Sequence, residues 1–278
     1  MESIRQRASN TTSEPFLDGL TLGEPLGRGG MSRVREAATA DGRRVAVKFP
    51  RVNGRNRAAV RALVRREFGF LDGISHPNVV EVLGLVRSPE GQNGSAPGLG
   101  MVMEYLDGGD LVSLSGGPPR VWAPLAAQAV RAVDHLHRSG IVHGDLKPRN
   151  VLLRNGDVPC LIDFALASRI GGPAPRGGGT VAYRRSKSAD MAEAGDDVYA
   201  LAVLVYELWV GALPFGSNPG PPGDSGVRRF PELKEHSGLP GLRHVAGVLA
   251  DILNQTEAAL SGGIGPLRHA LESAVAEL

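Results

Sequence analysis

Four short stretches of this chain carry, in a fixed order, residue types that handle phosphate. A glycine loop reads Gly27-Arg28-Gly29-Gly30-Met31-Ser32-Arg33-Val34, and Lys48 closes Val45-Ala46-Val47-Lys48. Asp145, Lys147 and Asn150 share the segment His143-Gly144-Asp145-Leu146-Lys147-Pro148-Arg149-Asn150, and Asp163 precedes Phe164-Ala165. Glycines let backbone N–H groups approach phosphate oxygens, and a lysine brings a cation. An aspartate can serve as a base, and aspartate and asparagine oxygens suit a hard divalent ion. One stretch to shield phosphates, one cation, one base with a metal ligand and one further metal ligand are what phosphoryl transfer from ATP needs.

The elements that must position these groups follow from pattern. Positions 22–34 and 35–49 read as extended segments about two turns, with Asp41-Gly42 marking the second. The glycine loop therefore runs from strand to strand, whereas a dinucleotide-binding loop runs from strand into helix. A Walker A loop is excluded because no Gly-Lys pair occurs. From 56 to 73 the pattern is helical, and Leu63, Glu67 and Leu71 repeat at four-residue spacing, which puts a carboxylate on an apolar stripe. His76-Pro77-Asn78-Val79-Val80 ends that helix and opens a strand, a Gly/Pro/Ser-rich loop covers 88–100, and 101–105 is a buried strand. Beyond Leu106-Asp107-Gly108-Gly109 the chain is mainly helical, over 124–138, 196–211, 228–238 and 241–278. Glycine-rich segments at 171–179 and 216–226 interrupt it.

The motifs, over about residues 20–215, resemble Hanks-type protein kinases, the eukaryotic-like Ser/Thr kinases of bacteria. The resemblance implies an α+β, bilobal protein-kinase-like fold with ATP and Mg²⁺ in its cleft, Mn²⁺ being the alternative ion. A small antiparallel N-lobe with one helix would span 16–103, a hinge 104–109, and a larger helical C-lobe 110–278, divergent after about 216. Gly27 and Gly29 would cover the phosphates. Val34 and Ala46 would lie above adenine and Leu152 below it, with Met103, Glu104 and Leu106 at the hinge. Lys48, aimed by Glu67, would meet the α and β phosphates; a surface lysine and a solvated glutamate are the plainer readings of that pair. Asp145 would accept the proton of the substrate hydroxyl, Lys147 would neutralise the transferring group, and Asn150 and Asp163 would bind the metal. Lysine two residues after the aspartate is the Ser/Thr variant. Thr180, in Gly179-Thr180-Val181-Ala182-Tyr183, would contact Asp145 and Lys147. His143 would pack in an internal spine, and Asp197 would hold the catalytic loop through its backbone, with a helix N-cap as its competing role.

The pattern also breaks. Ser32 replaces the third glycine, and Gly144 stands where many kinases carry the arginine that reads a loop phosphate. Ser168 is the one hydroxyl between Ala165 and Thr180, so loop phosphorylation is not expected to be the on-switch. Ala165 replaces a glycine, and a positive φ there would cost roughly 1–2 kcal/mol. Ser186-Lys187 occupies the place of Pro-Glu, and the buried arginine that partners that glutamate is not evident near 250–270.

Bulk properties fit a folded, soluble protein. The chain has 278 residues, 42% of them hydrophobic, enough for two lobes. A net charge of +2 from 31 basic and 29 acidic residues, without basic runs between aromatics, gives no sign of nucleic-acid binding. The single cysteine, Cys160, sits in an apolar run and is expected to be buried in a reducing, cytoplasmic setting. Residues 1–15 read as a polar, disordered tail without a signal core, and the apolar stretch 199–215 as a buried helix rather than a membrane span. The expected partners are a protein substrate bearing Ser or Thr and a regulatory protein, with control coming from that partner or from residues 1–15. The rivals are a pseudokinase serving as a nucleotide-binding regulatory module, favoured by Ser32, Ala165 and the missing Pro-Glu, and a small-molecule kinase, favoured by the altered peptide platform.

Overall fold

The computed structural model describes residues 16–28, 32–51, 57–87, 98–175, 179–185, 190–216, 239–254 and 257–278. Gly29, the 1–15 tail, Ser186-Lys187, most of the 88–100 loop and the expected helix at 228–238 lie outside the described residues. The chain divides into two compact units. One comprises residues up to Ile74 with Val80–Tyr105, the other Ser75–Val79 with Leu106–Leu278.

In the first unit, β1 (Thr21–Arg28), β2 (Ser32–Ala38), β3 (Arg44–Pro50), β4 (Val82–Arg87) and β5 (Leu99–Glu104) form one antiparallel sheet in the order β1-β2-β3-β5-β4. The turn between β2 and β3 holds Gly42 at φ 82°, a conformation only glycine adopts freely. Alternation decides the two faces. Val45, Val47 and Phe49 of β3 join Ala37 and Val102 in one apolar cluster. Gly100 is required beside it, because a Cβ there would lie 2.6 Å from the Phe49 ring. Helix α1 (Arg57–Leu71) buries Val60, Val64, Glu67, Phe68 and Leu71. Leu63, expected on this stripe, is instead 42% exposed. At 100° per residue the buried face centres on 64, 67, 68 and 71, and a spacing of four carries Leu63 to its edge.

The second unit is mostly helical. Helix α2 (Pro119–Arg138) begins five residues before the expected start at 124. Pro119 takes the first helical position, which suits proline, and Pro124 lies inside. The backbone bond forfeited at Pro124 is outweighed by the face formed by Trp122, Ala123, Leu125 and Ala126, all buried. Helix α3 (Ala194–Val210) is buried throughout 197–206, as the apolar run requires, and ends at Gly211 with φ 79°. It follows α2, and Trp122 meets Trp209 at 5.5 Å between ring centroids. Helices α4 (Pro240–Leu253), α5 (Glu257–Ser261) and α6 (Gly265–Glu277) divide what reads as one region at 241–278, and α6 packs on both α2 and α4. Two short antiparallel ladders complete the unit: β6 (Ile141–Val142) with β9 (Ser168–Arg169), and β7 (Val151–Arg154) with β8 (Val158–Leu161).

Residues 76–80 do not open a strand. Val79 makes a single bridge to Leu161, and Asn78 Nδ2 donates to Pro159 O at 2.8 Å and Gln128 Oε1 at 3.1 Å. Cys160 is fully buried, with Sγ 3.6 Å from Pro77 O. Among the described residues, no helix is long and apolar enough to cross a membrane.

Candidate active site

Within the first unit, register alone places several of the expected residues on one face. Val34 pairs with Lys48, Ala46 with Met103, and Lys48 with Met101. Cross-strand partners share a face, as do residues two apart, so Val34, Ala46, Lys48 and Met103 all project opposite the Val45/Val47/Phe49 cluster. On that face Lys48 Nζ donates to Glu67 Oε1 at 2.6 Å, with the two residues only 8% and 7% exposed. The surface-lysine and solvated-glutamate readings are thereby set aside. Glu104 uses its N–H on Glu81 O at 3.0 Å and its Oε1 on Glu81 N at 2.7 Å. Gly27 lies opposite Val34, and a Cβ added to it would meet nothing within 4 Å.

Within the second unit, four expected residues form one hydrogen-bonded cluster. Lys147 Nζ donates to Asp145 Oδ2 at 2.6 Å and to Thr180 Oγ1 at 2.8 Å. Thr180 returns its N–H to Asp145 Oδ1 at 3.1 Å and its hydroxyl to the same oxygen at 3.3 Å. Asn150 Nδ2 donates to Asp145 O at 2.7 Å and Oδ2 at 2.9 Å. Both bonds use the amide NH₂, so the group Asn150 has left to offer is Oδ1, and oxygen is what a magnesium-sized cation takes. Leu152, on β7, and Leu106 are half-buried.

The loop that carries Asp145 is held from beneath. Asp197, 1% exposed, accepts His143 N at Oδ2 (2.8 Å) and Gly144 N at Oδ1 (2.9 Å). His137 Nε2 lies 3.0 Å from Oδ2 as well. The N-cap role goes elsewhere: Glu193 caps α3 in a reciprocal box with Asp196. His143 is fully buried, 4.6 Å from the Phe164 ring, with Nε2 3.0 Å from Ile162 O, a packing role rather than a chemical one.

Asp163 has φ 64° and ψ 68°, in the left-handed region. The positive φ expected at Ala165 is therefore found two residues earlier. Ala165 sits inside the tight turn Phe164–Leu166, closed by Ala167 N–H to Phe164 O at 3.0 Å. Such a conformation in a non-glycine residue is uncommon and is tolerated best by aspartate and asparagine. Gly144 has φ 81°, and a Cβ there would lie 2.7 Å from Leu166 O. With the backbone as it lies here, the Cβ of an arginine would clash with Leu166 O, and the left-handed φ would be strained. Ser168 is 3% exposed and its Oγ lies 3.4 Å from Pro173 O.

Beside Asp145 a cavity of about 80 Å³ is lined by Gly144, Leu166, Thr180, Tyr183, Arg185 and Asp196, among others. The Tyr183 hydroxyl donates to Glu207 Oε2, and burial, followed by that carboxylate, holds its pKa far above the ordinary phenol value. Sequence reasoning missed the Glu207 partner, the His137 contact and the ion pairs of Arg185. Tyr183–Glu207 and His137–Asp197 join residues distant in sequence, and the Arg185 pairs, though only 8 and 11 residues apart, join commonplace types across a loop, so spacing carried no signal of them.

Comparison with known proteins agrees with this geometry. Residues 20–235 match the protein kinase domain family, and the chain belongs to it. It is 32% identical over 259 residues to serine/threonine-protein kinase PknB of Mycobacterium tuberculosis, a match covering 87% of this chain and 39% of the relative. It is 31% identical over 244 residues to PknB of Mycobacterium leprae, covering 82% and 39%. It is 36% identical over 220 residues to serine/threonine-protein kinase PkaA of Streptomyces coelicolor, covering 70% and 39%. The matches thus span about two-fifths of the length of these curated relatives.

Proposed function

We propose that the chain is an ATP-dependent protein serine/threonine kinase that moves the γ-phosphoryl group of ATP to a Ser or Thr hydroxyl of a protein substrate. The observation that supports this most is the closed network joining Asp145, Lys147, Asn150 and Thr180. In this reading Asp145 orients the substrate hydroxyl and takes its proton as the new O–P bond forms and the bond to the β-phosphate oxygen breaks, releasing ADP. Lys147 offsets the charge on the transferring group. Thr180 fixes the Asp145 carboxylate and the Lys147 ammonium relative to one another. Lys48, steadied by Glu67, binds the α and β phosphates, and Gly27, Gly29, Val34, Ala46, Met103, Glu104, Leu106 and Leu152 are assigned to the nucleotide. Asn150 Oδ1 and the Asp163 carboxylate would hold Mg²⁺, or Mn²⁺ in its place, and both are oxygen donors of the right kind. The bound ion supplies positive charge at the β and γ phosphates. A cytoplasmic setting is the one the buried lone thiol supports.

The test is intact-mass analysis after incubation with ATP and Mg²⁺, with and without a generic Ser/Thr protein substrate, beside Lys48→Ala and Asp145→Asn. Gains of one phosphate on protein that vanish in both variants are the expected result. Phosphate on a small molecule and never on protein would replace this reading with a small-molecule kinase. Nucleotide binding without transfer would replace it with a pseudokinase.

A further inference from the structure

Residues 171–174, which follow β9, are fastened to residues 190–192. Gly171 N donates to Ala192 O at 2.9 Å, Ala192 N to Gly172 O at 2.8 Å, and Ala174 N to Asp190 O at 2.8 Å. Farther along, the Arg185 guanidinium enters an acidic corner at the start of α3. Its Nε donates to Asp196 Oδ1 at 2.8 Å, and its Nη2 lies 2.7 Å from the same oxygen and 2.6 Å from Glu193 Oε2. The arginine side chain is only 10% exposed. Burial works against its charge, yet the two carboxylates hold its pKa above the ordinary value. A planar fork satisfied on two sides is a geometry lysine cannot reproduce.

The corner itself is rigid. Asp196 Oδ2 accepts Glu193 N at 2.9 Å in the capping box, so the acceptors of Arg185 are parts of a helix terminus already closed on itself. Asp197, the next residue, holds the backbone of His143 and Gly144. One turn of one buried helix therefore grips the catalytic loop with one carboxylate and the segment carrying Thr180 and Tyr183 with its neighbour. Residue 144 is glycine, so this position offers no cation that could hold the segment through a phosphate.

We infer that Arg185 is a positioning residue: by clamping residues 179–185 to the first turn of α3 it sets Thr180 against Asp145 and Lys147, giving the segment its working shape without a phosphate. This rests on the kinase reading for its consequence in catalysis, but the clamp itself is testable apart from it. In the full chain, Arg185→Ala should speed hydrogen exchange at the Thr180, Tyr183 and Arg184 amides, which bond Asp145 Oδ1, Thr180 O and Val181 O, by about tenfold or more, the loss expected from one charge-assisted contact. It should lower kcat/KM for a Ser/Thr peptide by a similar factor while nucleotide affinity stays within about twofold. Arg185→Lys should recover only part of both effects. If Arg185→Ala does not fold, Glu193→Gln, which keeps the arginine and weakens one side of the clamp, should give a smaller increase in exchange at the same amides. Unchanged exchange in the folded variant overturns the inference. Faster exchange in a chain whose wild type transfers no phosphate leaves the clamp standing and removes the kinase reading instead.

Discussion

Asp197 accepts the backbone N–H of Gly144 across 2.9 Å, from a side chain almost wholly out of contact with solvent. Its second oxygen takes the N–H of buried His143, so one carboxylate satisfies two consecutive backbone donors just ahead of Asp145. Asp197→Asn removes the charge and turns one oxygen into a donor facing another donor. It is expected to lower unfolding free energy by about 3 kcal/mol and to reduce phosphoryl transfer in the fraction that stays folded. Denaturant titration beside an activity assay checks this; an unchanged midpoint would count against the role.

The Lys48–Glu67 pair separates chemistry from stability. Lys48→Ala leaves a buried carboxylate without its ammonium partner, which should cost about 3 kcal/mol or more. The double variant Lys48→Met with Glu67→Leu replaces both charges with apolar volume and should return most of that stability. Both variants should be inactive. Equal destabilisation of single and double variants, read by thermal melting, would show that the pair does not behave as a coupled buried unit.

Asp145→Asn keeps the shape of the site and removes the proton acceptor. The expected loss in kcat is about 10²–10⁴-fold with nucleotide affinity retained. Thr180→Ser should keep most of the activity, because the hydroxyl to Lys147 and Asp145 survives, whereas Thr180→Val should not. Single-turnover rates with separately measured nucleotide binding discriminate these outcomes.

Gly144→Ala combines a left-handed backbone with a Cβ only 2.7 Å from Leu166 O. The conformational part alone costs about 1–2 kcal/mol, and the contact adds to it. Gly144→Arg is expected to lower melting temperature at least as much, and it should not make activity respond to phosphorylation. A well-folded arginine variant activated by loop phosphate would contradict the steric account.

Acid sensitivity should carry a contribution from His76. Burial, then the charges of His135 and Arg131, hold its pKa below the ordinary value of 6.5, and its Nδ1 accepts Asn78 N at 3.1 Å. Below about pH 6.5 the unfolded chain takes up a proton there that the folded chain resists. Unfolding then binds protons, and stability falls as the pH drops. His76→Gln should lose less stability between pH 7.5 and 5.5 than the wild type, as measured by denaturant melts at both pH values; identical losses would remove His76 from the account.

Much of the site was legible because its chemistry comes in short runs. Asp145, Lys147 and Asn150 are five residues apart at most, and Lys48 lies on a strand whose alternation points it away from the apolar cluster. Local order of this kind survives any arrangement of the rest, so residue type and spacing were enough to single out those residues, and the kinase resemblance they carry implied the α+β class. Other decisions were made only by long-range packing. Leu63 faces solvent and Val64 does not because the helix meets the sheet at one angle. Pro124 lies inside a helix because the face around it is buried. The left-handed residue is Asp163 rather than Ala165 because the turn after it closes on Phe164. Arg185 finds Glu193 and Asp196, and Tyr183 finds Glu207, only once α3 has formed and packed. Such pairings depend on where a buried helix terminus arrives in space, a quantity no window of sequence contains.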